Sequence, residues 1–322
     1  MNGYSPRVQD QKIPVKVLIL PKFEVGELTG DFPGEAQLFY EEYLADGEMY
    51  EIPDAAVDNK LYYKNGVAMY MLGQGKINAA LNCCAVFSDE RFDFSDAFIL
   101  DVGCGGTAQG YGIFGDLFVI TAAVDYDLGH WTDSRELSNN LGTTWFHDET
   151  YDDIAVVRMD QHLADRAFEL VKVVHPETTQ NTIGFLRKEY PGQAWADRLP
   201  QVMKGTSLTS DRYWKGIYEH QNALLMIQTY DCPDPFGITE MEDIAVARAA
   251  KNFNLLDRLI ILRVAVNMDV FPSGVTPEKI WGSQDYFASE NSLETVDIFA
   301  TAMRNCFVAG KVLIDAMLEG TF

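Results

Sequence analysis

The run Leu259-Ile260-Ile261-Leu262-Arg263-Val264-Ala265-Val266 is apolar, and largely β-branched, at nearly every position. A strand with one wet face alternates apolar and polar residues; this one does not, so both of its faces must be covered. Only a sheet with helices packed on it provides that cover. Val15–Leu20, stopped by Pro21, and the segments Ala97–Val102 and Leu117–Val124 read as further buried strands. Asn65-Gly66 predicts a hairpin turn between Leu61–Tyr63 and Val67–Met71. Helical spacing marks Ile77–Phe87, and Met241–Ala250 with Arg248 and Lys251 near its end, where cations suit the dipole. A last helix is expected from Asn291 and Glu294 as a capping box, with Val296, Phe299, Met303, Phe307 and Val308 on its apolar side. Strands and helices interleave along the whole chain, so the expected fold is a single α/β domain with a mixed sheet.

Residues 1–14 read as a polar N-terminal extension, and residues 15–322 as the domain, with an elaboration at about 136–200 where periodicity fades. With 48 Asp+Glu against 25 Lys+Arg, the net charge of −23 excludes nucleic acid and anionic membrane surfaces as expected partners. No apolar run is long enough to span a bilayer. Five cysteines, two of them the neighbours Cys83 and Cys84, fit a reduced compartment better than a disulfide framework. The cytoplasm is therefore the expected location, with a cleaved leader pointing instead to the periplasm or beyond. His130, His147, His162, His175 and His220 lack metal-ligand spacing, so no metal and no cofactor are expected.

Gly103, Gly105 and Ala108 satisfy a dinucleotide pattern, and Ile99–Gly106 looks like the first motif of an S-adenosylmethionine-dependent methyltransferase. Either function needs a helix to begin at the glycines and hold the ligand on its amino end. Gly110, Gly112 and Gly115 follow closely and forbid a stable helix. The glycines are therefore expected in a loop between two strands, and the methyltransferase is a remote alternative.

A series of segments in a fixed order then carries a family resemblance. They are Lys16–Leu20 with Phe23-Glu24, Gly73–Ala80, Phe98–Gly106 with Gly115–Val119, Ser210–Trp214, Met241–Ala245 and Arg263–Asn267. Together they resemble the nucleoside phosphorylase/nucleosidase superfamily, and most closely its purine nucleoside permease branch, to which the cluster Asp133–Glu136 is also similar. The resemblance implies a barrel-like central sheet flanked by helices, a small-molecule purine nucleoside as ligand, and a homo-oligomer.

It also implies roles. Met241 and Glu242 would hold the ribose, since a carboxylate accepts two hydroxyl hydrogen bonds. Tyr213, Trp214, Gly105 and Gly106 would form the base pocket, and Asn267, where many members carry aspartate, would hold the departing base. Asp101 and Cys104 stand where phosphorylases keep phosphate-binding groups, so water is the expected nucleophile, oriented by Glu24 or Glu27. If phosphate enters, Lys76 or Arg135 are its nearest cations. The expected activity is cleavage of the N-glycosidic bond, by hydrolysis more than by phosphorolysis. The alternative is a nucleoside-binding protein accessory to transport, without turnover.

Overall fold

The structure is a computed structural model and describes residues 12–137, 143–282 and 293–322. Ten strands form its main sheet: β1 Val17–Leu20, β2 Glu48–Glu51, β3 Lys60–Lys64, β4 Val67–Tyr70, β5 Phe98–Thr107, β6 Leu117–Asp125, β7 Val156–Arg158, β8 Val202–Thr209, β9 Phe236–Glu240 and β10 Leu259–Met268. Five of them close a ring. β6 pairs with β8 and β8 with β9 in parallel; β9 meets β5 antiparallel; β5 meets β10 in parallel; β10 returns to β6 antiparallel. From β5 the sheet opens outward through β1, β4, β3 and β2, while β7 adds to β6. The molecule is thus a single α/β domain around a closed, barrel-like sheet.

The unalternating run in β10 has its reason here. Leu259, Ile261 and Ala265 enter one core cluster, which also holds Ile244, Val246 and Ala250 of the Asp243–Asn252 helix. Ile260, Leu262 and Val264 enter another, against Met303, Cys306, Ala309 and Leu313 of the Leu293–Glu319 helix. That long helix turns the side its spacing suggested partly inward, with Phe299, Met303 and Phe307 on the core. Met303 is buried, Phe299 and Phe307 are half-buried, and Val308 is exposed, with Ala302, Cys306 and Ala309 also filling the contact. Asn291 of the expected cap lies outside the described residues, as do residues 1–11 of the N-terminal extension and 138–142 of the 136–200 stretch. Within that stretch Val156–Arg158 is an edge strand of the main sheet, and the Gln161–Val171 helix buries Ala164, Ala167 and Val171 in the second cluster.

The hairpin turn at Asn65 and Gly66 has φ of 52° and 89°, the left-handed pair that an Asn-Gly turn uses. The glycine-rich segment differs from expectation, because β5 runs straight through Gly103, Gly105 and Gly106 and the loop begins after them. With no helix starting there, the dinucleotide and methyltransferase readings lose their anchor. These glycines are instead places of close approach. A Cβ on Gly105 would sit 2.5 Å from the Thr239 carbonyl oxygen, and one on Gly106 2.6 Å from Asn267 Oδ1.

Gly105→Ala should therefore strain the β5–β9 seam of the ring. We expect a loss of about 1–3 kcal/mol, the usual cost of overpacking a filled core, read as a lower urea midpoint with an unchanged far-ultraviolet spectrum.

Candidate active site

Residues from the last positions of β5, β9 and β10 and from the segments that follow β8 and β9 converge on one pocket. Gly105, Gly106, Tyr213, Trp214, Met241, Glu242 and Asn267 line it. Lys22, Phe23, Glu35, Gln74, Cys104, Arg212, Thr239, Glu240 and Val266 complete its wall.

The pocket is built on a buried ionic cluster. Arg263 is only 1% exposed in the middle of β10. Its Nε donates to Asp243 Oδ1 at 2.8 Å, Nη2 bonds the same carboxylate, and Nη2 lies 3.3 Å from both Glu240 Oε2 and Glu242 Oε2. Glu240, the last residue of β9, also starts the next helix: its Oε2 accepts the Glu242 N–H at 2.5 Å and the Asp243 N–H at 2.7 Å. Thr209 Oγ1, at the end of β8, accepts the Ile244 N–H at 2.9 Å. The first amides of the Asp243–Asn252 helix are thus capped by two strand ends, which brings Met241 and Glu242 to the pocket. Gly103 makes room for this cluster, since a Cβ there would lie 2.3 Å from Arg263 Nη1.

Burial, with the carboxylates of Asp243 and Glu242 adding to it against Arg263, pushes Glu240 up to about 8. Burial also raises Glu242, although Arg263 and Lys22 pull the other way. Lys22 is lowered, first by burial and then by Arg263.

A second knot lies beside the first, since a Cβ on Gly103 would also come within 2.9 Å of Glu35 Oε1. Lys22 Nζ bonds Asp101 and the Val102 carbonyl, the latter at 2.9 Å. Asp101 is fully buried against this lysine and does not line the pocket, so its charge is neutralised inside the protein and is not presented to an anion. Glu35 does line the cavity, as do Glu240 and Glu242. Glu35 accepts the Lys22 N–H at 2.9 Å and the Cys104 N–H at 2.8 Å. Burial, followed by Glu35, holds the Cys104 thiol well above its usual range.

Glu24 and Glu27, the expected water-orienting pair, are not pocket residues. Glu24 spends its carboxylate on the backbone N–H groups of Val25, Gly34, Ala36 and Gln37, and so shapes the loop that delivers Glu35. Glu27 is exposed. Arg135 is also outside, bonded to Asp133 with 87% of its side chain exposed. Lys76 instead holds Asp125 at 2.8 Å and Asp127 at 2.9 Å. Trp214 is buried, and its indole already stacks with Tyr126 at 4.9 Å and Phe236 at 6.4 Å. Tyr213, 52% exposed, is the more open ring of the pair.

The sequence reading passed over Arg263, Glu35, Lys22 and Glu240. Arg263 had a signal: a cation inside an apolar strand must find buried anions, and Glu240, Glu242 and Asp243 stood together. Glu35 had none, because a loop places it. Among the described residues no His, Cys, Asp or Glu group is arranged to hold a metal ion.

Arg263→Met would leave three buried carboxylates without their cation. It should cost about 3–5 kcal/mol of stability in urea unfolding. Glu240 holds its proton more tightly folded than unfolded. Its share of stability is therefore complete below the ordinary carboxyl value of 4.5 and lost as pH rises to about 8. Unfolding free energies measured across that window should decline, and Glu240→Gln should flatten the decline.

The comparisons agree with this architecture. The Neisseria meningitidis 5′-methylthioadenosine/S-adenosylhomocysteine nucleosidase in complex with methylthio-immucillin-A superposes with a TM-score of 0.51 at 15% identity, covering 92% of this chain and 99% of that one. A futalosine hydrolase mutant of Helicobacter pylori gives 0.56 at 14% identity over 94% and 99%. These likenesses establish the fold. In sequence, the chain is 25% identical over 272 residues to a probable purine nucleoside permease of Schizosaccharomyces pombe, covering 77% of this chain and 74% of that protein. It is 26% identical over 247 residues to a purine nucleoside permease of Candida albicans, covering 71% of this chain and 61% of that one. No helix among the described residues is long and apolar enough to cross a membrane. The family model described as purine nucleoside permease (NUP) matches residues 14–321, and the chain belongs to that family.

Proposed function

We propose that the chain cleaves the N-glycosidic bond of a purine nucleoside with water as the nucleophile. The observation that carries this reading is the state of the pocket's charges. Lys22, Arg212 and Arg263 all have carboxylate partners already, in Asp101, in Asp127 with Glu219, and in the Glu240–Glu242–Asp243 group. Two backbone N–H groups of pocket residues, from Lys22 and Cys104, are taken by Glu35. A phosphate dianion entering here would meet carboxylates before any free cation. Water meets a hydrogen-bond acceptor.

In this scheme Glu242 accepts the ribose hydroxyls, with Met241 packed against the sugar. These hydrogen bonds strengthen as oxocarbenium charge develops at the anomeric carbon. Glu35 takes a proton from the attacking water while the bond from carbon to the base nitrogen breaks. Asn267 holds the base by donating to N7, and accepts from a 6-amino group where the base carries one, and the departing anion takes its proton from solvent. The fold likeness to nucleosidases supports the reaction class.

A second reading, nucleoside binding without turnover, is favoured by Asn267 itself, which has no proton to give the leaving base. The names of the family's relatives support it too.

Incubation with inosine, guanosine and adenosine, with and without phosphate, separates these cases. Hydrolysis predicts free ribose at a rate independent of phosphate. Glu35→Gln should lower that rate at least about 100-fold, the usual worth of a positioned base. Glu242→Gln should lower kcat/KM by about 100-fold or more through lost transition-state hydrogen bonds. Ribose 1-phosphate as the main product would overturn the hydrolytic reading, and saturable binding with no product would establish the second one.

A further inference from the structure

We propose that Asp211 is a positioning residue for Glu242, acting through the amino end of the Lys76–Phe87 helix. The inference rests on the reading of Glu242 as the ribose carboxylate. That helix begins at Gly75, with φ of 89° and no cap from its own side chains. Its two leading amides are satisfied from elsewhere in the chain. Gly75 N–H donates to Glu242 Oε1 at 2.9 Å, and Lys76 N–H donates to Asp211 Oδ1 at 2.8 Å. Adjacent amides of one rigid helix end thus hold one carboxylate each, one in the pocket and one outside it.

Asp211 does not line the pocket and its side chain is 46% exposed, so it acts at a distance from any ligand there. It is held firmly all the same. Its own N–H donates to Asp127 Oδ2 at 2.8 Å, and the other oxygen of Asp127 accepts Ser210 Oγ at 2.7 Å. Lys76 Nζ bridges Asp125 and Asp127, so the helix end is fastened both through its backbone and through its first side chain.

The consequence falls on Glu242. One oxygen faces Arg263 and the other the Gly75 N–H, which together fix the plane of the carboxylate. If the helix end drifts, only the Arg263 contact remains, and the carboxylate rotates away from the geometry that grips two adjacent hydroxyls.

The test compares the affinity of a purine ribonucleoside, inosine, with that of 2′-deoxyinosine by titration calorimetry, every variant being made in a Glu35→Gln background so that substrate is not consumed during the titration. The Glu35→Gln parent should prefer the ribonucleoside. Asp211→Ala should reduce that preference about tenfold, the worth of one hydrogen bond to a charged group, with little change for the deoxy compound. Asp211→Asn keeps an acceptor for the Lys76 N–H and should restore the preference. Lys76→Met, which loosens the same helix end from another side, should shift it in the same direction as Asp211→Ala. Equal losses for both nucleosides would show a scaffold role and overturn the proposal. A preference that survives Glu242→Gln would instead overturn the ribose assignment beneath it.

Discussion

Everything at the pocket end of the barrel depends on one guanidinium held in a dry place. Arg263 sits in the strand that closes the ring, flanked by residues of two hydrophobic clusters, with carboxylates from β9 and from the helix after it as its counter-ions. A buried arginine cannot release its proton, so the surroundings must supply charge. Placing those carboxylates there fixes where β9 ends, where the next helix starts, and which way Glu242 faces. The strand, the helix cap and the candidate site are thus one electrostatic arrangement, and Gly103 is the gap that lets it fit.

The same arithmetic of charge sets what the pocket can receive. The chain is strongly acidic, and its pocket follows suit, with Lys22, Arg212 and Arg263 each already facing an anion. Neutral, hydroxyl-rich molecules suit such a place better than anions do. Fold likeness alone could not say this, because a sheet of this shape hosts different reactions. The pairing of particular side chains carries it.

Much of the fold was legible in the sequence because the physics there is local. The apolar run of β10, interrupted only by Arg263, demanded cover on both faces, and the structure provides a helix on each. The Asn-Gly turn and the strand boundaries follow from backbone preferences of single residues. What could not be read depends on distant partners. The glycines of β5 looked like a loop because their neighbours in space, Arg263, Thr239 and Asn267, are far away in the chain. Glu24 and Glu27 drew attention by proximity to the first strand, yet a loop closed by Glu24 itself carries Glu35 to the cavity instead. Lys76 and Arg135 were attractive as free cations, yet Lys76 holds Asp125 and Asp127, and Arg135 holds Asp133. The gathering of Met241, Glu242, Gly105, Gly106 and Asn267 in one pocket was legible as an ordered set of segments, though no single segment announced it.

The closure of the ring has a consequence in time as well as in space. β10 pairs with β5 and β6, both made much earlier in synthesis, and contacts so distant in sequence form late and slowly. Until β10 arrives, Glu240, Glu242 and Asp243 have no guanidinium and remain hydrated. Pairing of β10 with both neighbours closes the ring, sets Arg263 against the carboxylates and places Asn267 at the pocket, so a molecule whose ring has closed already has its pocket assembled.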